Sequence, residues 1–158
     1  MSSSSLPIVI ATGLADTRPV SDQSSRRLRL VTRWLGAGTA LITGVGEIDA
    51  ANANMLGRCV IDGSVDSESG ARRLIVDLSR VNFFGTEGFS ALTEVDRHCG
   101  KHGVRWVLVP GPEVTRVLRL ARAESRLPVA ESATAALTAL RARAASLALV
   151  GTDRARQV

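Results

Sequence analysis

Apolar and polar positions along this chain alternate between two periods, and the switches mark the elements. Residues 28–34 partly alternate, with Leu28, Leu30 and Trp34 against Arg27, Arg29 and Arg33, which predicts a half-exposed strand. Gly36-Ala37-Gly38 reads as a turn and residues 39–45 as a second strand, so the pair forms an antiparallel hairpin. Gly46-Glu47-Ile48-Asp49 closes it. Residues 50–60 have helical composition, with Asp49 as N-cap and with Asn52 and Asn54 weakening the helix locally. The Gly-, Ser- and acid-rich residues 62–70 read as a loop.

Residues 71–78 end in the run Leu74-Ile-Val-Asp-Leu78, which is too short and too apolar for a surface helix and fits a strand covered on both faces. Residues 79–85 read as a connector. A helix is then predicted over 86–102, because Phe89, Leu92, Val95 and Cys99 recur on one face, with Gly103 as its C-terminal cap. Residues 104–109 are the next strand. Pro112 suits the first turn of a helix carrying Val114, Val117 and Leu118 on one side and Arg116, Arg119 and Arg122 on the other. Leu127-Pro128-Val129 is a short extended piece, and Ser132 caps a final Ala-rich helix to about 147. This order predicts an α/β fold: a mixed, mostly parallel sheet of about four to five strands with helices packed against it.

The chain has 158 residues, enough for one domain with tails. The expected division is a flexible Ser/Thr-rich extension over 1–25, a domain over 26–147 and a flexible tail over 148–158. Aromatics are only 3 % and Tyr is absent, so the core must be aliphatic and platforms for stacking bases are scarce. The net charge of +5 lies wholly beyond residue 115, where Arg116 opens a run of arginines on the last two helices. That basic end leaves nucleic-acid binding as one alternative, although solvated helix faces explain it as well and no direct nucleic-acid partner is expected. No stretch reaches the ~20 apolar residues a bilayer span needs, and no signal-peptide pattern opens the chain, so a cytoplasmic protein without a membrane partner is expected.

Catalytic arrangements find little support. Phosphate-cradling glycine loops are missing. His98 and His102 share a helix face but have no carboxylate in a metal-ligand pattern, and no metal or cofactor is expected. Thr86 starts the same helix, roughly 18–24 Å away along the axis, so neither histidine can activate it. Cys59 and Cys99 fall on apolar helix positions and read as buried thiols, with a redox pair as the lesser reading. No enzyme is expected.

The segment Leu74-Ile-Val-Asp-Leu-Ser-Arg-Val-Asn-Phe-Phe-Gly-Thr-Glu-Gly-Phe-Ser-Ala-Leu92 resembles the signature of the STAS domain, the family of bacterial anti-sigma factor antagonists and of sulfate-transporter cytoplasmic tails. Its pattern is a strand ending Asp-Leu, then a connector, then Asp-Ser-Ser-Gly or a Thr variant opening a helix. Gly46-Glu47-Ile48-Asp49 resembles the family's Gly-Glu-Leu-Asp, and the likeness covers roughly residues 28–143.

The resemblance implies a stand-alone antagonist that captures an anti-sigma factor of the serine/threonine kinase type and so releases a sigma factor. By position it makes Thr86 the phosphoacceptor and Glu47, Asp49, Gly85, Thr86, Glu87 and Gly88 the partner-binding face. Other readings are a subunit of a larger stress-signalling or lipid-transport assembly, and Thr86 as a plain helix cap. The motif diverges at Gly85, where Asp is the pattern, and at Glu87, where Ser or Thr is. Glu87 could imitate a phosphorylated state, or the protein could bind constitutively with control through its N-terminal tail or its cysteines. Oligomeric state is left open.

Overall fold

The computed structural model describes residues 27–36, 38–65 and 72–154, with side-chain surroundings omitted for 63–65 and 144–154. The expected N-terminal extension over 1–25 lies outside the described residues. Strands β1 (Arg29–Trp34), β2 (Thr39–Ile48), β3 (Arg73–Phe84) and β4 (Arg105–Pro110) form one sheet in the order β1-β2-β3-β4. β1 pairs antiparallel with β2, and the β2–β3 and β3–β4 pairs are parallel. The hairpin turn uses Gly36 and Gly38 at φ 80° and 67°, where a side chain would be strained. Each parallel pair needs a crossover. Helix α1 (Ala53–Val65) supplies the first and α2 (Thr86–His102) the second.

Period-two alternation splits the core between two faces. Leu74, Val76 and Leu78 join Ile42, Leu56, Leu92, Val95 and Leu108 on the α1/α2 side. Ile75, Val107 and Val109 face the other way and pack on Ala136 and Leu140 of α4 (Ala133–Arg154). Trp106 on β4 donates its indole N–H to the Asp96 carboxylate at 2.9 Å, which ties the sheet to α2. α3 (Pro112–Leu120) begins at Gly111, where a Cβ would meet the Ser79 carbonyl oxygen at 2.7 Å, so glycine permits that close approach to β3. The 127–129 piece bridges Leu108 to Val129, as expected of a short extended segment. Ser132 Oγ accepts the Ala135 N–H and caps α4.

Several boundaries differ from the sequence reading, among them the end of α1, which runs to Val65 and so into the expected loop over 62–70. The expected connector 79–85 is a continuation of β3 as far as Phe84, and β2 runs on past Val45 to Ile48. Two bulges explain this. Thr43↔Asp77 is followed by Val45↔Arg80, and Gly46↔Val81 by Glu47↔Phe83, so β3 carries one extra residue at each step. Its inward residues become Leu78, Val81 and Phe84, a spacing of three that masks a strand. Asp77 Oδ1 accepts the Ser79 N–H at 2.9 Å at the first bulge. Helix α1 starts at Ala53 rather than at residue 50, because Asp49 through Asn52 are held in a turn. α4 continues beyond 147 to Arg154, since its Ala- and Leu-rich sequence contains no proline to stop it.

Candidate functional site

The carboxyl ends of β2 and β3 lie side by side, with Glu47 opposite Phe83 and Ile48 opposite Phe84. In open α/β sheets this end is where loops gather and ligands bind. The Gly85 N–H donates to the Ile48 carbonyl at 2.8 Å, so the loop leaving β2 and the loop leaving β3 are joined just before α2 begins. Glu47, Asp49, Gly85, Thr86, Glu87 and Gly88, predicted as one face, are thus brought to one end of the sheet.

The β2 side of this face is a small locked arch. Asp49 Oδ1 accepts the Ala51 N–H at 2.9 Å, and the Asp49 carbonyl accepts from the N–H groups of Asn52 and Ala53. Asn52 reaches back, its Oδ1 accepting the Asp49 N–H at 3.0 Å and its Nδ2 donating to the Glu47 carbonyl at 2.9 Å. A residue that sequence reasoning treats as a helix weakener is therefore the clamp that fixes Glu47 and Asp49. Its cue in the sequence is the Asp-x-x-Asn spacing, which matches the reach of an N-cap and its third residue.

On the β3 side, Gly85 is the N-cap of α2, at φ −84° and ψ 173°, and contributes no side-chain capping bond. Thr86 is the first helical residue and is exposed. The reading of Thr86 as the cap is thereby corrected, since the residue before it holds that place. The Thr86 carbonyl accepts from the Ser90 hydroxyl at 3.4 Å, and its own hydroxyl makes no hydrogen bond among the described residues. The free N–H groups and positive dipole end of a helix surround that hydroxyl. Glu87 lies in the same turn and is exposed, while Glu47 and Asp49 are half-buried.

Gly88 has a different part from the one expected of it. It is buried, and a Cβ there would lie 2.6 Å from Cε2 and 2.7 Å from Cζ of Phe84, and 3.0 Å from Ile48 Cγ2. Its missing side chain lets α2 sit close on the ends of β2 and β3, so it shapes the face from beneath and offers a partner no surface. Two residues passed over by sequence reasoning border the face instead. Phe83 beside Gly85 and Met55 in the first turn of α1 are large, apolar and exposed. Phe83 faces outward because of the second bulge.

The cysteines lie elsewhere. Cys99 is about 20 Å along α2 from Thr86 and is fully buried, and burial with help from Asp96 pushes its thiol up to about 12. Burial also pushes the Cys59 thiol up, against the hydrogen bond with Thr32 that lowers it. Both are free thiols held in the protonated form, the opposite of a reactive redox pair. At the far end of α2 the rings of His98 and His102 are 4.3 Å apart, and desolvation, then the neighbouring His102, pull His98 below its ordinary value. Among the described residues no group of three or more His, Cys, Asp or Glu could hold a metal ion, and no helix is long and apolar enough to cross a membrane. The arginines of α3 are partly neutralised, with Arg116 paired to Glu113 at 3.0 Å and Arg119 to Glu124 at 2.9 Å.

The site is thus an exposed hydroxyl at a helix start, beside an arch from the neighbouring strand, on a four-stranded mixed sheet of an α/β domain. The chain belongs to the STAS domain family, whose model matches residues 37–136. It is 35 % identical over 101 residues to osmosensory protein A of Mycobacterium tuberculosis (strain ATCC 25618 / H37Rv), a match spanning 61 % of this chain and 61 % of that protein's length. Among solved structures it is similar to an anti-sigma factor antagonist from Mycobacterium paratuberculosis, with 27 % identity and a TM-score of 0.64, covering 73 % of this chain and 95 % of the other. The fold is also that of the anti-sigma factor antagonist SpoIIAA in its unphosphorylated form, at 19 % identity and a TM-score of 0.58, over 72 % of this chain and 97 % of that one.

Proposed function

We propose that this protein is an anti-sigma factor antagonist: it binds an anti-sigma factor of the serine/threonine kinase type through the face formed by Glu47, Asp49, Thr86 and Glu87, and so frees a sigma factor for transcription. Phosphorylation of Thr86 switches the complex off. The observation that carries this reading is the Thr86 hydroxyl itself, exposed on the first residue of α2 and engaged by no other group among the described residues. A phosphate there adds about −1.5 to −2 charges to a face that already carries three carboxylates. It also gains the helix dipole. Close docking of a partner is then opposed by charge and bulk together. The likeness to an osmosensory protein supports placing the switch in a stress response.

The test is incubation with candidate anti-sigma kinases and ATP, mapping phosphate by mass spectrometry, with binding compared for the wild type, Thr86→Ala and Thr86→Glu. Phosphate on Thr86, tight binding by the wild type and by Thr86→Ala, and loss of binding in Thr86→Glu are the expected results. Phosphate confined to Ser2–Ser5 moves the switch to the N-terminal segment, and absence of any complex removes the antagonist reading.

A further inference from the structure

Resting on the docking face proposed above, a second relationship concerns the two positions where the motif diverges. The backbone of Gly85, at φ −84° and ψ 173°, is one that any residue adopts, so nothing in its conformation calls for glycine. The surrounding walls do not call for it either. A Cβ at this position would meet the Ile48 carbonyl oxygen at 3.5 Å and Phe83 Cε1 at 3.7 Å, both ordinary contacts. One atom stands closer. Glu87 Oε2 would be 2.9 Å from that Cβ, because the glutamate side chain folds back from the first turn of α2 over the residue that caps it.

We propose that Glu87 supplies, from one side of Thr86, the carboxylate that the STAS motif carries on the other, its Oε2 standing in the space a side chain at Gly85 would enter, so that positions 85 and 87 have exchanged the acidic side chain. Relative to Asp-Ser-Ser-Gly, Gly-Thr-Glu-Gly loses one negative charge at 85 and gains one at 87, leaving the count at this turn unchanged. The folded-back carboxylate belongs to the first turn of α2, at the positive end of the helix dipole, which favours a negative charge there. Glu87 is then the residue that sets which cationic group a partner must present beside Thr86. It does not stand in for a phosphate on Thr86, since its oxygen lies over the preceding residue.

Three variants test this: Gly85→Asp, Glu87→Ser and the double variant. Asp is a favoured N-cap, so the added side chain is compatible with α2. The first readout needs no partner and follows the carboxyl carbons by NMR through acid titration. In Gly85→Asp the introduced carboxylate has its midpoint above that of the same carboxylate in the double variant, because a second negative charge stands beside it. Equal midpoints in the two backgrounds overturn the exchange.

The second readout is affinity for the kinase identified through Thr86. Glu87→Ser weakens binding about fivefold. The double variant returns it to within about twofold of wild type. A double variant no better than Glu87→Ser overturns the specificity role. Failure to find any binding kinase removes the antagonist reading, while the titration still decides whether the two positions share one site.

Discussion

Gly88 lies so close to Phe84 that a Cβ on the glycine would come within 2.6 Å of the ring. Helix α2 is seated on the sheet by this contact, and Thr86 stands two residues before it. Gly88→Ala is expected to destabilise the protein by about 1–3 kcal/mol, because neither the ring nor the strand end beneath it has room to yield. Urea unfolding should show a lower midpoint with an unchanged slope. Gly100→Ala, on the exposed side of the same helix with nothing within 4 Å of its new methyl, should instead stabilise by about 0.5–1 kcal/mol.

Asn52 holds the arch with one donor and one acceptor, both directed at backbone atoms. Asn52→Ala should cost about 1–3 kcal/mol, since it strands the Asp49 N–H and the Glu47 carbonyl. It should also raise amide exchange over 47–53 before global unfolding. Asn52→Asp keeps the acceptor for Asp49 and loses the donor to Glu47, so an intermediate loss is expected, and an effect equal to that of alanine would argue that the Asp49 bond contributes nothing.

Cys99 makes stability depend on alkaline pH. Its thiol titrates at about 12 in the folded protein, against an ordinary value of 9.0. Between those values the unfolded chain has released the proton and the folded chain still holds it, so stability falls as pH rises from about 9. Cys99→Ala should remove that part of the alkaline slope in urea titrations at successive pH values. In the native wild type at neutral pH, a thiol reagent should label Cys99 only as fast as the protein opens.

Arg116 and Arg119 spend their charge on Glu113 and Glu124. On a DNA column the protein should therefore elute below about 0.15 M salt, with little dependence on sequence. Retention well above that concentration would revive the nucleic-acid alternative raised by the C-terminal arginines.

The sequence made legible what rests on a regular period. Leu74, Val76 and Leu78 alternate, Leu92, Val95 and Cys99 recur at helical spacing, and both elements stand where the patterns put them. Residues 79–84 were illegible as strand because two bulges change the inward spacing from two to three, and a bulge is a property of the pair of strands rather than of either one. The motif named residues that the fold gathers at one end of the sheet, Glu47 and Asp49 after β2 and Gly85 to Gly88 after β3. Their parts were less legible: Gly88 looks like surface until Phe84 is placed beneath it, and Asn52 looks like a poor helix former until its backbone partners are in position. The relation between Gly85 and Glu87 depends on a side-chain torsion that no pattern records.

The unequal lengths of the paired strands have one more consequence. β2 spends ten residues and β3 twelve to reach the same end of the sheet. Because successive residues of a strand face opposite sides, removing one residue from the regularly paired stretch Arg73–Asp77 would turn the side chains that follow to the other face, whereas removing one at a bulge takes out the extra residue and leaves Phe84 opposite Ile48. The hydroxyl's address is thus set by the register of the paired strands, and the bulges are the two places where β3 tolerates a change of length without moving it.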